Sequence, residues 1–164
     1  MNGLGQIRAA VIRTLTDAGL CAAAAHGGAA ERYSGPVTAV GVAELTGRPM
    51  ALGGYLGQTY DRQAGTMREL YGRKMDVLIS LDVRADSAAA CESACEAVSD
   101  ALETGGLPSG LRPGEESWEA VCWDRQNQLF LRRGKLKCGA YFTAQTDPEA
   151  DTLLEFTLKG VLKT

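Results

Sequence analysis

The chain has 164 residues, of which 45% are hydrophobic and 23% charged, with a formal net charge of -3 and a pI near 5.2. That length is enough for one domain with a hydrophobic core. The acidic balance argues against a general nucleic-acid or membrane-surface binder, which needs a basic face, and no apolar run approaches the roughly 18 residues that span a bilayer.

"MNGLGQIRAAVIRTL" has no basic region followed by a continuous apolar stretch, so no secretory signal is expected. Within residues 3–19, Leu4, Ile7, Val11, Leu15 and Ala18 recur at three- and four-residue steps, which predicts a helix stopped by Gly19. "CAAAAHGGAAERYSGP" is broken by glycines and Pro36 and is expected to be a mobile connection. "PVTAVGVAELTGRPMALGGYLGQTY" reads as two strands around a turn at "TGRP". The glycine-rich, charge-flanked segment 53–74 is a candidate mobile interface arm, ordered only on assembly.

"MDVLISLDVRAD" is the clearest element. Met75, Val77, Ile79, Leu81 and Val83 alternate with Asp76, Ser80, Asp82 and Arg84, the pattern of a strand with one face in a core; "YGRK" extends it. Asp86 and Ser87 then offer N-caps to a helix whose apolar stripe is Cys91, Ala94, Cys95, Val98 and Leu102. "GGLPSGLRPGEES" reads as a loop. Three further strands are expected in "WEAVCW", "LFLRRGKLKCGAYFTAQ" and "TLLEFTLKGVL", with turns at "DRQNQ" and "TDPEAD". The sum over residues 1–164 is a single α+β domain: one mostly antiparallel sheet with two helices packed on one face.

The chemical candidates are few. Cys91 and Cys95 share a helix face one turn apart and could form a metal half-site or a dithiol. Zinc needs two more ligands; the only histidine is His26, and Cys122 and Cys138 have no paired spacing. Both thiols fall on the stripe expected to be buried, where cysteine is a small hydrophobe. Cys21 with His26 is a conceivable nucleophile pair, but "CAAAAHGG" carries no local motif. The glycine stretches match neither a P-loop nor a dinucleotide fingerprint. Asp76 and Asp82 are about 20 Å apart along an extended strand, too far for an acid–base pair. No catalytic, cofactor or metal residue is therefore assigned. Basic residues gather in "MRELYGRK" and "LRRGKLK". If those strands pair, Arg68, Tyr71, Arg73, Lys74, Arg132 and Arg133 form a basic patch, serving either as edge protection or as a contact for an acidic neighbouring subunit.

The order of elements resembles the phage tail-terminator and related minor tail or head–tail joining proteins. "IRAAVIRTL" at the N-terminal helix, "YGRKMDVLISLDVRAD" running into "SAAACESACEAVSDALE", and the late strand "KLKCGAYFTAQ" carry the resemblance. "CAAAAHGGAAERYSGP" and "GGYLGQTYDRQAGTM" fall outside it. The resemblance implies no enzymatic activity and no cofactor. It implies a homo-oligomer, a hexameric ring that caps a tail tube, meets tail-tube and head–tail connector proteins, and belongs to a virion assembled in the bacterial cytoplasm, without specific nucleic acid or membrane as partner. Two other classes compete: a small binding module on the open sheet face, favoured by an exposed Trp118 or Trp123, and a thiol enzyme, which needs a cysteine of depressed pKa in a cleft.

Overall fold

The computed structural model describes residues 3–27, 33–107, 110–146 and 153–158. In chain order these form α1 (Gly3–Asp17), β1 (Ala22–Ala23), β2 (Val37–Pro49), β3 (Tyr55–Asp61), β4 (Thr66–Ala85), α2 (Ala88–Thr104), β5 (Leu111–Trp118), β6 (Cys122–Asp124), β7 (Leu129–Thr146) and β8 (Leu153–Leu158). The fold is mixed α+β, mostly sheet.

Two long strands organise it. β4 and β7 pair antiparallel without a register shift from Glu69↔Thr146 to Ala85↔Phe130. Shorter strands share their outer edges in succession. β2 runs beside Arg73–Arg84 of β4, and β3 continues beside Thr66–Tyr71. On the far edge of β7 lie β6, then β5, then β8. β1 adds a two-residue parallel bridge at Thr38 and Ala39.

Alternation makes one sheet face apolar. Val77, Ile79, Leu81, Val83 and Ala85 of β4 are buried, as are Leu136, Cys138, Ala140 and Phe142 of β7. Ile7 and Val11 of α1 and Cys91, Cys95, Val98 and Leu102 of α2 join them in one buried cluster. Burying each large side chain contributes on the order of 1.5–3 kcal/mol. We call this the core face and its reverse the outer face.

Local chemistry sets the helix ends. α1 stops where Gly19 takes φ +82, a left-handed conformation that suits glycine. Ser87 caps α2, its Oγ accepting from the Ala90 N–H at 3.2 Å. Gly134 of β7 is bare because the Trp118 ring lies over it; an added Cβ would stand 2.5 Å from that ring.

Several expectations need correction. "TGRP" is not a turn: Thr46–Pro49 remain in β2, paired with Asp76–Arg73, because β4 is long enough to hold them. The following strand, β3, pairs with β4 and not with β2. "LRPGEES" is strand β5 rather than loop, held by the free edge of β7. "WEAVCW" is interrupted, with only Trp118 in β5 and Cys122–Trp123 in β6. The arm, 53–74, expected to order only on assembly, has its β3 and β4 segments already paired within the single chain. The mobile connection expected at 21–36 includes the β1 bridge, and its residues 28–32 lie outside the described residues, as do 159–162 of the last expected strand and most of "TDPEAD".

Leu81 is fully buried at the centre of the ladder, whereas Leu78 faces outward and is half-buried. Leu81→Ala should cost about 3 kcal/mol in urea unfolding, and Leu78→Ala clearly less. Equal costs would contradict the assignment of faces.

Candidate interaction surfaces

Cys91 and Cys95 lie inside the core cluster, and the Cys91 Sγ donates to the Val83 carbonyl at 3.4 Å. Burial pushes the Cys91 thiol up, the Cys95 thiol up to about 12, and Cys138 up to about 11. A neutral buried thiol is a poor nucleophile and metal ligand. Cys21 and Cys122 are exposed, and all five cysteines are free. Among the described residues, no group of three or more His, Cys, Asp or Glu side chains is gathered as a metal site. Among them, too, no helix is long and apolar enough to cross a membrane.

Most of the carboxylates singled out in the sequence are engaged by bases. Asp76 accepts from Arg48 at 2.9 Å, both exposed. Arg84 lies 3.9 Å from Asp82 and donates its Nε to Asp124 at 3.1 Å, in a pair that is largely buried. Asp124 also caps the β6–β7 turn, accepting from the Asn127 side chain at 2.7 Å and from the backbone of Gln126 and Asn127. Hydrogen bonding to Asn127 first, and then to Arg84, holds its carboxyl down at about 2.

The six basic-patch residues do not form one patch. β4 and β7 do pair, but the register sets Arg73 and Lys74 opposite Phe142 and Tyr141, and Arg132 and Arg133 opposite Val83 and Asp82. Nine residues of strand, about 30 Å, separate the two groups. Arg68 is tied to Asp61 at 2.9 Å. The Tyr71 hydroxyl donates to Glu69 at 2.8 Å, and its ring meets Tyr55 edge-on at 5.6 Å. Arg132 donates to the Glu119 carbonyl at 2.8 Å. Arg73 and Arg133 are exposed and Lys74 is half-buried.

Three surfaces emerge in their place. The first is an apolar continuation of the core face. Leu45 pairs with Val77, Tyr55 with Tyr71, and Tyr60 with Met67. Directly opposed residues point to one face, so this stripe shares the face of Val77. It nevertheless stays open: Leu45 is 36% exposed, Tyr55 42%, Met67 47% and Tyr60 59%. The second surface is the charged outer face, where Lys74, Tyr141, Lys137, Lys135 and Arg133 follow one another along the ladder. Arg112 of β5 sits over the Tyr141 ring there at 5.7 Å. Gly139, whose added Cβ would meet nothing, leaves a shallow depression of about 400 Å3 edged by Glu44, Asp76, Leu78 and Lys137. A second hollow, about 380 Å3, is lined by His26, Ser80, Asp82, Arg84 and Asn127. The third surface is the outer side of α2, where Glu92, Glu96, Asp100 and Glu103 are all exposed.

The tryptophans differ. Trp118 is held, its Nε1 donating to Glu116 at 2.6 Å and to Ser99 of α2 at 3.1 Å. Trp123 is 47% exposed, edge-on to Phe130 at 5.0 Å. Sequence reasoning missed the Ser99–Glu116–Trp118 cluster and the Arg84–Asp124 pair, which join residues too distant in sequence to signal each other. The open apolar stripe had no signal in the spacing, because Tyr55 and Tyr60 are five residues apart and only the register shift between Tyr55 and Gly57 brings them to one face. Compared with known proteins, the chain matches no family model and has no significant curated relative.

Two outcomes follow. A thiol reagent at pH 8 should label Cys21 and Cys122 quickly and the other three only on unfolding; rapid labelling of three or more would contradict the buried assignment. The Asp124 carboxyl is depressed in the fold from its ordinary value of 3.8 to about 2. Its stabilisation is therefore complete above pH ~4 and is lost as pH falls toward 2. Asp124→Ala should lower unfolding free energy by about 1–2 kcal/mol at pH 7, and the difference from wild type should shrink between pH 4 and pH 2. A difference independent of pH would contradict the pairing.

Proposed function

We propose that this chain is a structural subunit that assembles with copies of itself into a ring, of the phage tail-terminator or head–tail joining type. The reading takes both helices to lie on the core face, leaving the outer face free of helices. The observation that carries it is the open apolar stripe. Leu45, Tyr55, Tyr60 and Met67 continue a buried face, yet all are exposed in the single chain. An apolar patch of this kind marks a contact surface. Length supports the reading. α1 and α2 have 15 and 17 residues, about 22 and 26 Å, whereas β4 has 20 residues, about 66 Å. Helices of that length leave part of the strand for another molecule to cover. Beyond Thr38 and Ala39, β2 has no described strand on its outer edge, and unpaired strand edges favour a neighbour. The order of elements set out above supplies the type of assembly.

A second reading, a small non-enzymatic binding module, draws on the outer-face hollow beside Asp76 and Lys137 and on exposed Trp123. The two readings separate in solution. Light scattering after size exclusion should show the protein assembling into a closed oligomer as concentration rises. The double variant Tyr60→Asp, Met67→Asp should remain a monomer with an unfolding midpoint close to wild type. A strict monomer at every concentration and salt, with no binding to tail-tube protein, would contradict the assembly reading.

A further inference from the structure

Glu92, Glu96 and Asp100 stand at four-residue steps on α2, with Glu103 one turn further along the same side. All four are exposed, and α2 contains no basic residue. Four residues of helix rise about 6 Å, so the first three carboxylates form a row about 12 Å long. This row lies away from the buried stripe of Cys91, Cys95, Val98 and Leu102.

The outer face of the sheet carries a row of opposite sign. Arg133, Lys135 and Lys137 alternate along β7 and are exposed. Two residues of strand advance about 6.8 Å, so these three bases span about 14 Å. Lys137 is shared with Glu115 at the sheet surface, both side chains more than half exposed. Glu115 offsets Lys137, while the other neighbouring carboxylates are engaged by bases outside the row: Asp82, opposite Arg133, lies beside Arg84, and Asp76 is taken by Arg48. The first three carboxylates and the three bases are opposite in sign and match in number and closely in step.

Resting on the assembly reading, we infer that the acidic row of α2 in one copy docks along the basic row of β7 in the next. The occupant of the outer face is thus a second copy of this chain. The two rows occupy different parts of the molecule, so the contact is head-to-tail and leaves one copy with a free basic row and the other with a free acidic row. A repeated contact of that type closes into a ring when its rotation permits. Screening by salt should weaken it, because the rows are exposed.

Two charge-reversed proteins test the contact: Arg133→Glu with Lys135→Glu, and Glu92→Lys with Glu96→Lys. Wild type should assemble at 50 mM salt. Each variant alone should associate on the order of 100-fold more weakly, because like charges then face each other. Mixed in equal amounts, the variants should recover assembly, since each row again meets its opposite. Recovery requires folded partners, so loss of structure cannot imitate it. If wild type assembles and both variants assemble equally well, or if mixing restores nothing, this contact is wrong while the assembly reading stands. If wild type never assembles, both fall. A DNA duplex that binds wild type and is released by Lys135→Glu, with assembly unchanged, would assign the basic row to a polyanion and overturn the proposal.

Discussion

The pairing of β4 with β7 is the constraint on which the other elements depend. It runs from Glu69 to Ala85 without a register shift, and every other described strand except β1 attaches to one of these two. A slip by one residue would turn Val77, Ile79, Leu81 and Val83 outward and bring Asp82 and Arg84 inward. Burial of several large aliphatic side chains opposes that slip, so the register is specified by the core. The same register fixes the outer face and therefore the spacing of Arg133, Lys135 and Lys137.

The ladder divides the core face into a covered and an open part. Near Val77–Ala85 the core-face residues share one buried cluster with α1 and α2 side chains, and the thiols there are small packing groups. Burial disfavours their charged form, so Cys91 and Cys95 are poorly suited to chemistry despite their spacing. Toward Thr66 the same face carries Tyr60 and Met67 without such cover. Polar groups at the other end are tied up locally, as in Arg84–Asp124 and the Ser99–Glu116–Trp118 cluster. The exposed features that remain among the described residues are extended rows and stripes, which is the distribution the assembly proposal draws on.

Much of the fold was legible because period-2 and period-3.6 patterns are local. Val77–Val83, Leu136–Ala144, the α1 stripe and the Cys91–Leu102 stripe could all be read directly, since each alternates over a long run. β5 was missed because Pro113 and Gly114 resemble a loop, and the edge of β7 holds them in a strand with a register shift between Pro113 and Glu116. The turn at "TGRP" was misplaced for the converse reason: local turn chemistry yielded to a long partner strand. The surfaces were less legible. Arg73 and Arg133 both belong to basic stretches, but only the register reveals that about 30 Å separates them. Glu92, Glu96, Asp100 and Glu103 lie off the apolar stripe of α2, but their match to β7 depends on knowing which β7 residues face outward.

On the proposed assembly, the half of the ladder nearest Thr66 is covered by a neighbour, while the half nearest Ala85 is already packed in the single chain. Amide hydrogen exchange followed over a range of protein concentration tests this most directly. The account predicts that amides of Tyr55–Tyr71 gain protection as concentration rises, while those of Val77–Ala85 are already protected at the lowest concentration and do not change. Equal protection of both halves at every concentration would contradict it.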